Sequence, residues 1–300
     1  MKKMLFQFFL WTTSLVLFGC ASAPPMPPVV APTVSVAIPK TPPKIGLALG
    51  GGAARGFAHV GVIQVLEEAG ITPVLVTGTS AGSLVAALYA SGKNGAQLQK
   101  VAESMEESTI ADWTLPFFGR GVLRGEALAK YVNLQVGQKP IEAMPMPLGI
   151  VATDLNSGND MLFQRGDTGT AVRASSAVPA VFTPVKINGH EYVDGGLSSP
   201  VPVRAARKMG AELVIAVDIS SPPEASSASG TIEVLLQTFS IMGKSINGFE
   251  LKDADVVVRP VLTGVSSSDF SSRKRSIEAG RQAMLQALPQ LRLAIAAKSR

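Results

Sequence analysis

Residues 74–82 read Val-Leu-Val-Thr-Gly-Thr-Ser-Ala-Gly, and this stretch decides the fold of the chain. Its apolar start predicts a buried strand. Apolar side chains then recur at helical spacing, at Leu84, Val85, Ala87 and Leu88. Ser80 would therefore lie on a sharp strand-to-helix turn, with its hydroxyl at the helix N-terminus and with Gly78 and Gly82 leaving the approach open. The five-residue pattern alone is equally compatible with an ordinary turn.

The scarcity of histidine limits the chemistry available to Ser80. The chain has two histidines, His59 and His190. A Ser-acid-His triad in the α/β-hydrolase order places its histidine after the acid, but none follows the candidate acid Asp194. We expect His59 on the surface of a helix or near its cap, and His190 at the tip of a hairpin. If Ser80 is a nucleophile, a carboxylate acts directly as its base.

The composition favours a globular α/β protein without a nucleic-acid partner. The chain has 300 residues, 46% of them apolar, which suits one large domain or two small ones. Its formal charge is only +5, and the basic residues are scattered apart from a small cluster at 273–275. We expect neither a metal site nor a cofactor, and the sequence leaves the oligomeric state open.

The first residues predict an export signal. Two lysines precede an apolar run over residues 4–18, which is too short for a comfortable membrane span. The only cysteine, Cys20, follows this run and resembles the acylated cysteine of a bacterial lipoprotein. An ordinary cleaved signal or an uncleaved anchor is the alternative. We therefore expect a lipoprotein signal peptide at 1–19 and membrane attachment through lipid-modified Cys20.

Residue 21 is alanine rather than aspartate, which by resemblance to lipoprotein sorting signals suggests the outer membrane, with the domain facing the periplasm. Residues 20–43 are rich in proline and predict an extended linker. The folded domain is expected at 44–300.

Strands alternate with helices in the folded region, which predicts a mainly parallel sheet covered on both faces. We expect strands at 45–49, 74–76, 148–152, 212–218 and 256–258. We expect helices at 62–69, 97–110, 126–135 and 284–295. Residues 220–230 predict a surface loop. The apolar segment 230–245 could cover the active site, contact a membrane or complete the core, and core packing is our expectation.

A glycine-rich turn at 50–56, Gly-Gly-Gly-Ala-Ala-Arg-Gly, joins the first strand to the first helix. Its N–H groups could hold a nucleotide phosphate, a dinucleotide pyrophosphate or the oxyanion of a reacting ester. A P-loop needs Gly-Lys-Ser/Thr, but Phe57 follows Gly56. A dinucleotide fingerprint needs a glycine where the chain has Arg55. The oxyanion reading requires only N–H groups that face a nucleophile.

The loop 154–160 superficially suggests a calcium site. Its twelfth position, counted from Asp154, is Arg165 rather than glutamate. We interpret it as a polar turn between two strands, in which Asp154 could still orient a neighbour in the site.

These pieces occur together in patatin-like phospholipases, which the chain resembles over about 45–220. The resemblance rests on the glycine-rich turn and its continuation to residue 63, the serine turn 78–82, Ala-Val-Arg-Ala-Ser-Ser-Ala-Val-Pro at 171–179, and Asp194-Gly195-Gly196 followed by Pro-Val-Pro-Val at 200–203. It implies a three-layer α/β/α fold and hydrolysis of lipid acyl esters by a Ser–Asp dyad.

In this mechanism Asp194 is the general base and Ser80 the nucleophile. Backbone N–H groups around Gly51, Gly52 and Ala53 would hold the oxyanion, and Arg55 would add positive potential. Many family members carry glycine where this chain has Ala53, which puts the quality of the oxyanion hole in doubt.

Arg173 and the segment at Pro179 would line the pocket for the acyl chain or head group, unless they are plain loop structure. A non-catalytic lipid- or partner-binding lipoprotein is the alternative function. An acyltransferase or thioesterase that uses the same serine is another.

Overall fold

The computed structural model describes residues 41–106, 108, 112, 121–220, 230–266 and 269–300. The predicted signal peptide 1–19, Cys20 and most of the linker lie outside these ranges, as does most of the predicted loop 220–230. These features therefore stay predictions.

Ten strands lie within the described ranges. They are β1 Ile45–Leu49, β2 Leu75–Thr79, β3 Gly121–Leu123, β4 Leu148–Asp154, β5 Asp160–Phe163, β6 Ala180–Phe182, β7 Val185–Ile187, β8 His190–Asp194, β9 Leu213–Val217 and β10 Val256–Val258. The main sheet has the order β10-β9-β1-β2-β4-β8-β7, and β5 also pairs with β4. Its first five strands are parallel, whereas β5, β8 and β7 are joined by antiparallel pairing. The short strands β3 and β6 form a separate parallel pair.

Eight α-helices lie in the described part of the chain. They are α1 Ala58–Glu68, α2 Ala81–Ala90, α3 Gly95–Ser104, α4 Glu126–Gln135, α5 Thr168–Ser175, α6 Val203–Lys208, α7 Thr231–Glu250 and α8 Arg273–Lys298. Gly70 follows the first of them with a φ of 69°, as expected for a glycine that ends a helix. The helix predicted at 97–110 ends at Ser104, because Met105 has an extended backbone.

Helices cover both faces of the sheet, which confirms the predicted three-layer α/β/α fold. Leu47 and Leu49 of β1 lie in the larger core, which includes side chains of α1 and α8. Ala48 points to the opposite face, where it packs in a smaller core with Val203 and Ala206 of α6. The side chains of β1 therefore alternate between two buried faces, and for this reason its sequence is apolar throughout.

The expectation that segment 230–245 completes the core is wrong. This segment belongs to α7, and its apolar side chains Val234, Leu235, Ile241 and Met242 are between 40% and 51% exposed. The helix presents polar groups inward, which periodicity alone did not reveal. No helix in the described ranges is both long enough and apolar enough to cross a membrane.

Candidate active site

Ser80 lies between β2 and α2 in a strained backbone conformation. Its φ of 53° and ψ of −125° are those of the first central residue of a type II′ turn, a position that glycine normally occupies. The Ser80 carbonyl accepts hydrogen bonds from the backbone N–H (2.8 Å) and the hydroxyl (2.6 Å) of Ser83, which begin the helix. The chain thus reverses sharply at Ser80, as the sequence predicts.

The glycines around Ser80 permit close contact between backbone segments. A Cβ on Gly82 would lie 2.1 Å from the Leu49 carbonyl oxygen, and a Cβ on Gly78 would lie 2.4 Å from that of Gly82. No larger residue fits without moving the backbone. Consequently, the serine turn is packed directly against the end of β1, where the glycine-rich turn begins.

Strand β4 brings Ser80 and Asp194 together. The last residue of β2, Thr79, pairs with Val151, and Asp194 at the end of β8 pairs with the next residue, Ala152. Strand β5 pairs with the opposite edge of β4. Strands β2 and β8 therefore pair with the same edge of β4, and their ends meet there. The nucleophile candidate and the carboxylate candidate, 114 positions apart in sequence, are therefore neighbours.

Asp194 is a buried carboxyl group with one oxygen available. Its Oδ1 accepts a hydrogen bond of 2.7 Å from the Gly196 N–H, whereas its buried Oδ2 has no hydrogen-bond partner among the described residues. Burial raises the pKa of Asp194 from 3.8 to about 6, and hydrogen bonding from the Ser80 side chain offsets part of this rise. The Ser80 side chain is thus within reach of the Asp194 carboxyl group.

The glycine-rich turn differs in one respect from the prediction. The Gly51 N–H donates a 3.0 Å hydrogen bond to the Pro200 carbonyl, so it is not available to an oxyanion. No described residue accepts a hydrogen bond from the N–H of Gly52 or Ala53. Ala53 has a φ of 50°, a left-handed conformation that costs alanine more than glycine. The candidate oxyanion donors are therefore reduced to these two groups.

The glycine-rich turn is adjacent to the serine. A Cβ on Gly51 would lie 3.1 Å from the Ser80 Cβ. The Arg55 side chain folds back onto the turn, where its Nε donates to the Gly52 carbonyl at 3.2 Å. The guanidinium is thus held beside the candidate oxyanion donors, as expected for a group that adds positive potential there.

His59 is the second residue of α1, so it lies near the helix cap, which is one of its two predicted places, but it does not lie on the helix surface. The side chain is completely buried, and its Nε2 donates to the Gly50 carbonyl at 2.8 Å. Burial lowers the pKa of His59 to about 4, so the ring is neutral at pH 7. Helical spacing alone could not reveal this, because the first turn of α1 is covered by the glycine-rich turn.

His190 and Asp154 lie together at the β-hairpins beside β4. His190 begins β8 directly after the turn at 188–189, which confirms the predicted hairpin tip. Its Nδ1 lies 2.8 Å from Asp154 Oδ2. Residues 155–159 connect β4 to β5, as predicted for a polar turn between strands. The Asp154 carboxylate therefore orients the His190 ring, and this hydrogen bond stabilises the β7–β8 hairpin that contains His190.

The sequence assigned no role to Ser175, which contacts the serine turn directly. It ends α5 and is completely buried. Its hydroxyl accepts a 2.8 Å hydrogen bond from the Ser80 N–H and donates one of 2.5 Å to the Val151 carbonyl. Nearby in the same helix, the Arg173 Nε donates to the Arg124 carbonyl at 3.0 Å. The only sequence signal for Ser175 was its position within the run 171–179.

Gly195 follows Asp194 and allows the same close packing. A Cβ there would lie 2.2 Å from the Val151 carbonyl oxygen and 3.0 Å from the Thr79 side chain. The fold and the site thus define a three-layer α/β/α protein in which a serine on a strand-to-helix turn faces a buried aspartate and a glycine-rich turn. The model of the patatin-like phospholipase family matches residues 47–207, and the chain belongs to this family.

Known proteins similar to this chain match it over part of their length. An uncharacterized NTE family protein of Mycobacterium tuberculosis (strain H37Rv) is 39% identical over 179 residues, which are 59% of this chain and 49% of that protein. Patatin-like phospholipase domain-containing protein 6 of Homo sapiens is 35% identical over 188 residues, or 60% of this chain and 14% of that protein. The chain therefore spans half or less of the length of these relatives.

Among solved structures, VipD from Legionella pneumophila has a similar fold. The TM-score is 0.57 at 16% sequence identity, and the match covers 83% of this chain and 67% of VipD. At this identity, the likeness concerns the fold alone.

Proposed function

We propose that this chain is a serine hydrolase that cleaves acyl esters of phospholipids or related lipids through Ser80 and Asp194. The observation that carries the proposal is the pairing on β4, which sets the strand-to-helix serine beside a buried carboxylate whose Oδ2 has no partner in the described part of the chain. Membership of the patatin-like phospholipase family supports a lipid ester as the substrate class.

In the first step, Ser80 Oγ bonds to the ester carbonyl carbon while Asp194 Oδ2 accepts the hydroxyl proton. The electron pair of the carbonyl double bond moves to the oxygen, which becomes an oxyanion. The N–H groups of Gly52 and Ala53 stabilise this charge, with Arg55 behind them. One such donor is typically worth about 3 kcal/mol.

In the second step, the tetrahedral intermediate collapses and the bond to the leaving oxygen breaks. The alcohol or lysophospholipid departs with the proton that Asp194 held, and the acyl group remains on Ser80. A water molecule then gives a proton to Asp194 and attacks the acyl carbon. The fatty acid leaves, and the proton returns to Ser80 Oγ.

The environment of Asp194 suits a base that acts without histidine. An ordinary aspartate is a weak base, because its pKa lies far below neutral pH. Burial raises the pKa of Asp194 to about 6, so the carboxylate is still ionised at pH 7 but binds a proton more tightly. This favours direct proton transfer from serine.

We expect Ser80→Ala and Asp194→Asn each to lower hydrolysis of p-nitrophenyl butyrate by at least about 10³-fold, because each removes one half of the dyad. Ser80→Ala also abolishes labelling by a fluorophosphonate probe, which reacts only with an activated serine. Ser91→Ala is the matched control, since Ser91 caps the far end of α2 and its hydroxyl donates to the Leu88 carbonyl. Near wild-type turnover in either dyad variant would refute the proposal.

The proposal also includes attachment to a membrane through an acylated Cys20. In a bacterial host fed an alkyne-tagged fatty acid, the full chain should become labelled and Cys20→Ser should not. Equal labelling of both chains would exclude this anchor, with no consequence for the dyad.

A further inference from the structure

Helix α7 is amphipathic, but its apolar side chains are exposed. A helix packed on a core would bury them. Val234, Leu235, Ile241, Met242 and Phe249 are 40–73% exposed. Positions 234 and 241 are seven residues apart, as are 235, 242 and 249, so these side chains share one face of the helix. We call these five residues the outer face of α7. Its apolar surface is turned away from the body of the protein.

The inward side of α7 is held by polar groups. Glu250 is 2% exposed, and its Oε1 accepts a 2.6 Å hydrogen bond from the Ser199 hydroxyl. Both amide atoms of Asn247, which is 4% exposed, and the Oε2 of Glu250 lack a hydrogen-bond partner among the described residues. Buried polar atoms of this kind cost stability, so hydrophobic burial does not explain how the helix is oriented.

The inward side of α7 lies next to the proposed ester site. Helix α7 packs against the turn Gly195–Leu197, which directly follows Asp194. A Cβ on Gly243 would touch Pro200, whose carbonyl holds the glycine-rich turn. Any partner that binds to this helix would therefore lie close to Ser80, the proposed nucleophile.

The charges on α7 suit an anionic lipid surface. Within 234–253, the exposed charged residues are Lys244, Lys252 and Asp253, because Glu250 is buried, so lysine is in excess there. Lys252 follows the helix, and its Nζ lies 5.0 Å from the centre of the Phe249 ring. Lysines beside an apolar helix face are typical of helices that lie in the membrane interface. A second copy of this face would offer these lysines Asp253 as the one exposed acidic partner within 234–253.

We propose that the outer face of α7 docks the protein on the surface of a phospholipid bilayer and so presents membrane lipids to Ser80. This inference rests on the proposed function, because it assigns the physical state of that site's substrate. The helix lies in the plane of the interface, with its apolar side chains among the acyl chains and both lysines at the head groups.

The first test measures docking without catalysis. A Cys20→Ser, Met242→Cys chain is labelled with an environment-sensitive nitrobenzoxadiazole dye and mixed with phosphatidylcholine–phosphatidylglycerol vesicles. The dye should brighten about threefold and shift to shorter wavelength. The same label at Leu293→Cys, a residue 72% exposed on α8, should not respond. An unchanged signal at position 242, or equal signals at both positions, overturns the proposal. So does brightening without vesicles that follows protein concentration, because it indicates self-association.

The second test separates docking from chemistry. The double variant Ile241→Gln/Met242→Gln should hydrolyse the same vesicles at least tenfold more slowly than the wild type. It should cleave p-nitrophenyl butyrate within twofold of the wild-type rate, and Leu293→Gln should leave both rates unchanged. Equal losses on both substrates overturn the docking role. A wild type that docks but cleaves neither substrate refutes the proposed function and leaves docking intact.

Discussion

At the scale of single residues, the backbone of Ser80 explains why its hydroxyl lies at the sharp turn between β2 and α2. A non-glycine residue with a φ of 53° and a ψ of −125° stores about 1–3 kcal/mol of strain. The surrounding contacts maintain that conformation, since the Ser80 N–H and carbonyl are both hydrogen-bonded. This strained conformation places the hydroxyl at the N-terminus of α2 and beside Asp194.

We expect Ser80→Gly to be more stable than Ser80→Ala by about 1–2 kcal/mol, because glycine adopts this conformation without strain. The free energy of unfolding, from urea denaturation of both variants, measures the difference. The control is the same pair of substitutions at Ser83, inside α2, where glycine should be about 1 kcal/mol less stable than alanine. If the stability difference between the glycine and alanine variants had the same sign at both positions, the assignment of strain to Ser80 would be wrong.

The raised pKa of Asp194 predicts how stability depends on pH. The folded protein binds this proton more tightly than the unfolded chain, since the pKa is about 6 rather than 3.8. The contribution of Asp194 is therefore greatest below pH 3.8 and is lost as the pH rises through about 6. Relative to the wild type, Asp194→Asn should gain about 2 kcal/mol in its free energy of unfolding between about pH 4 and pH 7.

The rate of ester hydrolysis should depend on pH in the opposite direction to the stability contribution of Asp194. Because the base must be ionised, kcat/KM of the wild type for p-nitrophenyl butyrate should rise with pH and level off above about pH 6. A stability difference and a rate that are both constant between about pH 4 and pH 8 would show that Asp194 has an ordinary pKa.

At the scale of secondary-structure elements, the site is assembled at the ends of β2, β4, β8 and α5. Strand β4 is the template, because it pairs with β2 and β8 on the same edge. Helix α5 contributes Ser175, whose hydroxyl links the Ser80 N–H to the Val151 carbonyl of β4. Ser175 is thus a positioning residue that holds the strained turn against the template strand.

Ser175→Ala leaves the Ser80 N–H and the Val151 carbonyl without this partner. We expect kcat to fall about tenfold with KM unchanged, and the free energy of unfolding to fall by about 1–3 kcal/mol. Ser175→Thr retains a hydroxyl and should recover part of kcat. Ser176→Ala alters the partly exposed neighbouring residue and should change neither quantity. A loss of stability at Ser175 with full kcat would reduce the residue to a structural role.

At the scale of the whole molecule, the C-terminal helix fixes the layer that carries the glycine-rich turn. Helix α8 crosses α1 so closely that a Cβ on Gly280 would lie 1.9 Å from the Ala58 carbonyl oxygen. Ala58 begins α1, next to His59, which holds the Gly50 carbonyl. Packing near the end of the chain therefore stabilises an element near its start.

We expect Gly280→Ala to lower the free energy of unfolding by about 3 kcal/mol, because the added methyl group forces α1 and α8 apart. Gly248→Ala is the matched control. Gly248 also lies in a helix, but a Cβ there would meet no atom within 4 Å, and alanine should raise stability by about 1 kcal/mol. Thermal unfolding followed by circular dichroism measures both. A neutral Gly280→Ala would mean that the two helices are not in close contact.

The sequence by itself determined the alternating strands and helices, the sharp turn at Ser80 and the absence of any histidine after Asp194 that could complete a triad in the usual order. These features depend on the periodicity of apolar residues and on residue counts, which are local properties. Only the tertiary structure decided that the Gly51 N–H binds the Pro200 carbonyl, that His59 is buried and that α7 turns its apolar side outward. In each case the contacting residue lies far away in sequence or on another element. The surroundings of a backbone N–H group or a helix face are therefore settled only when the layers pack together.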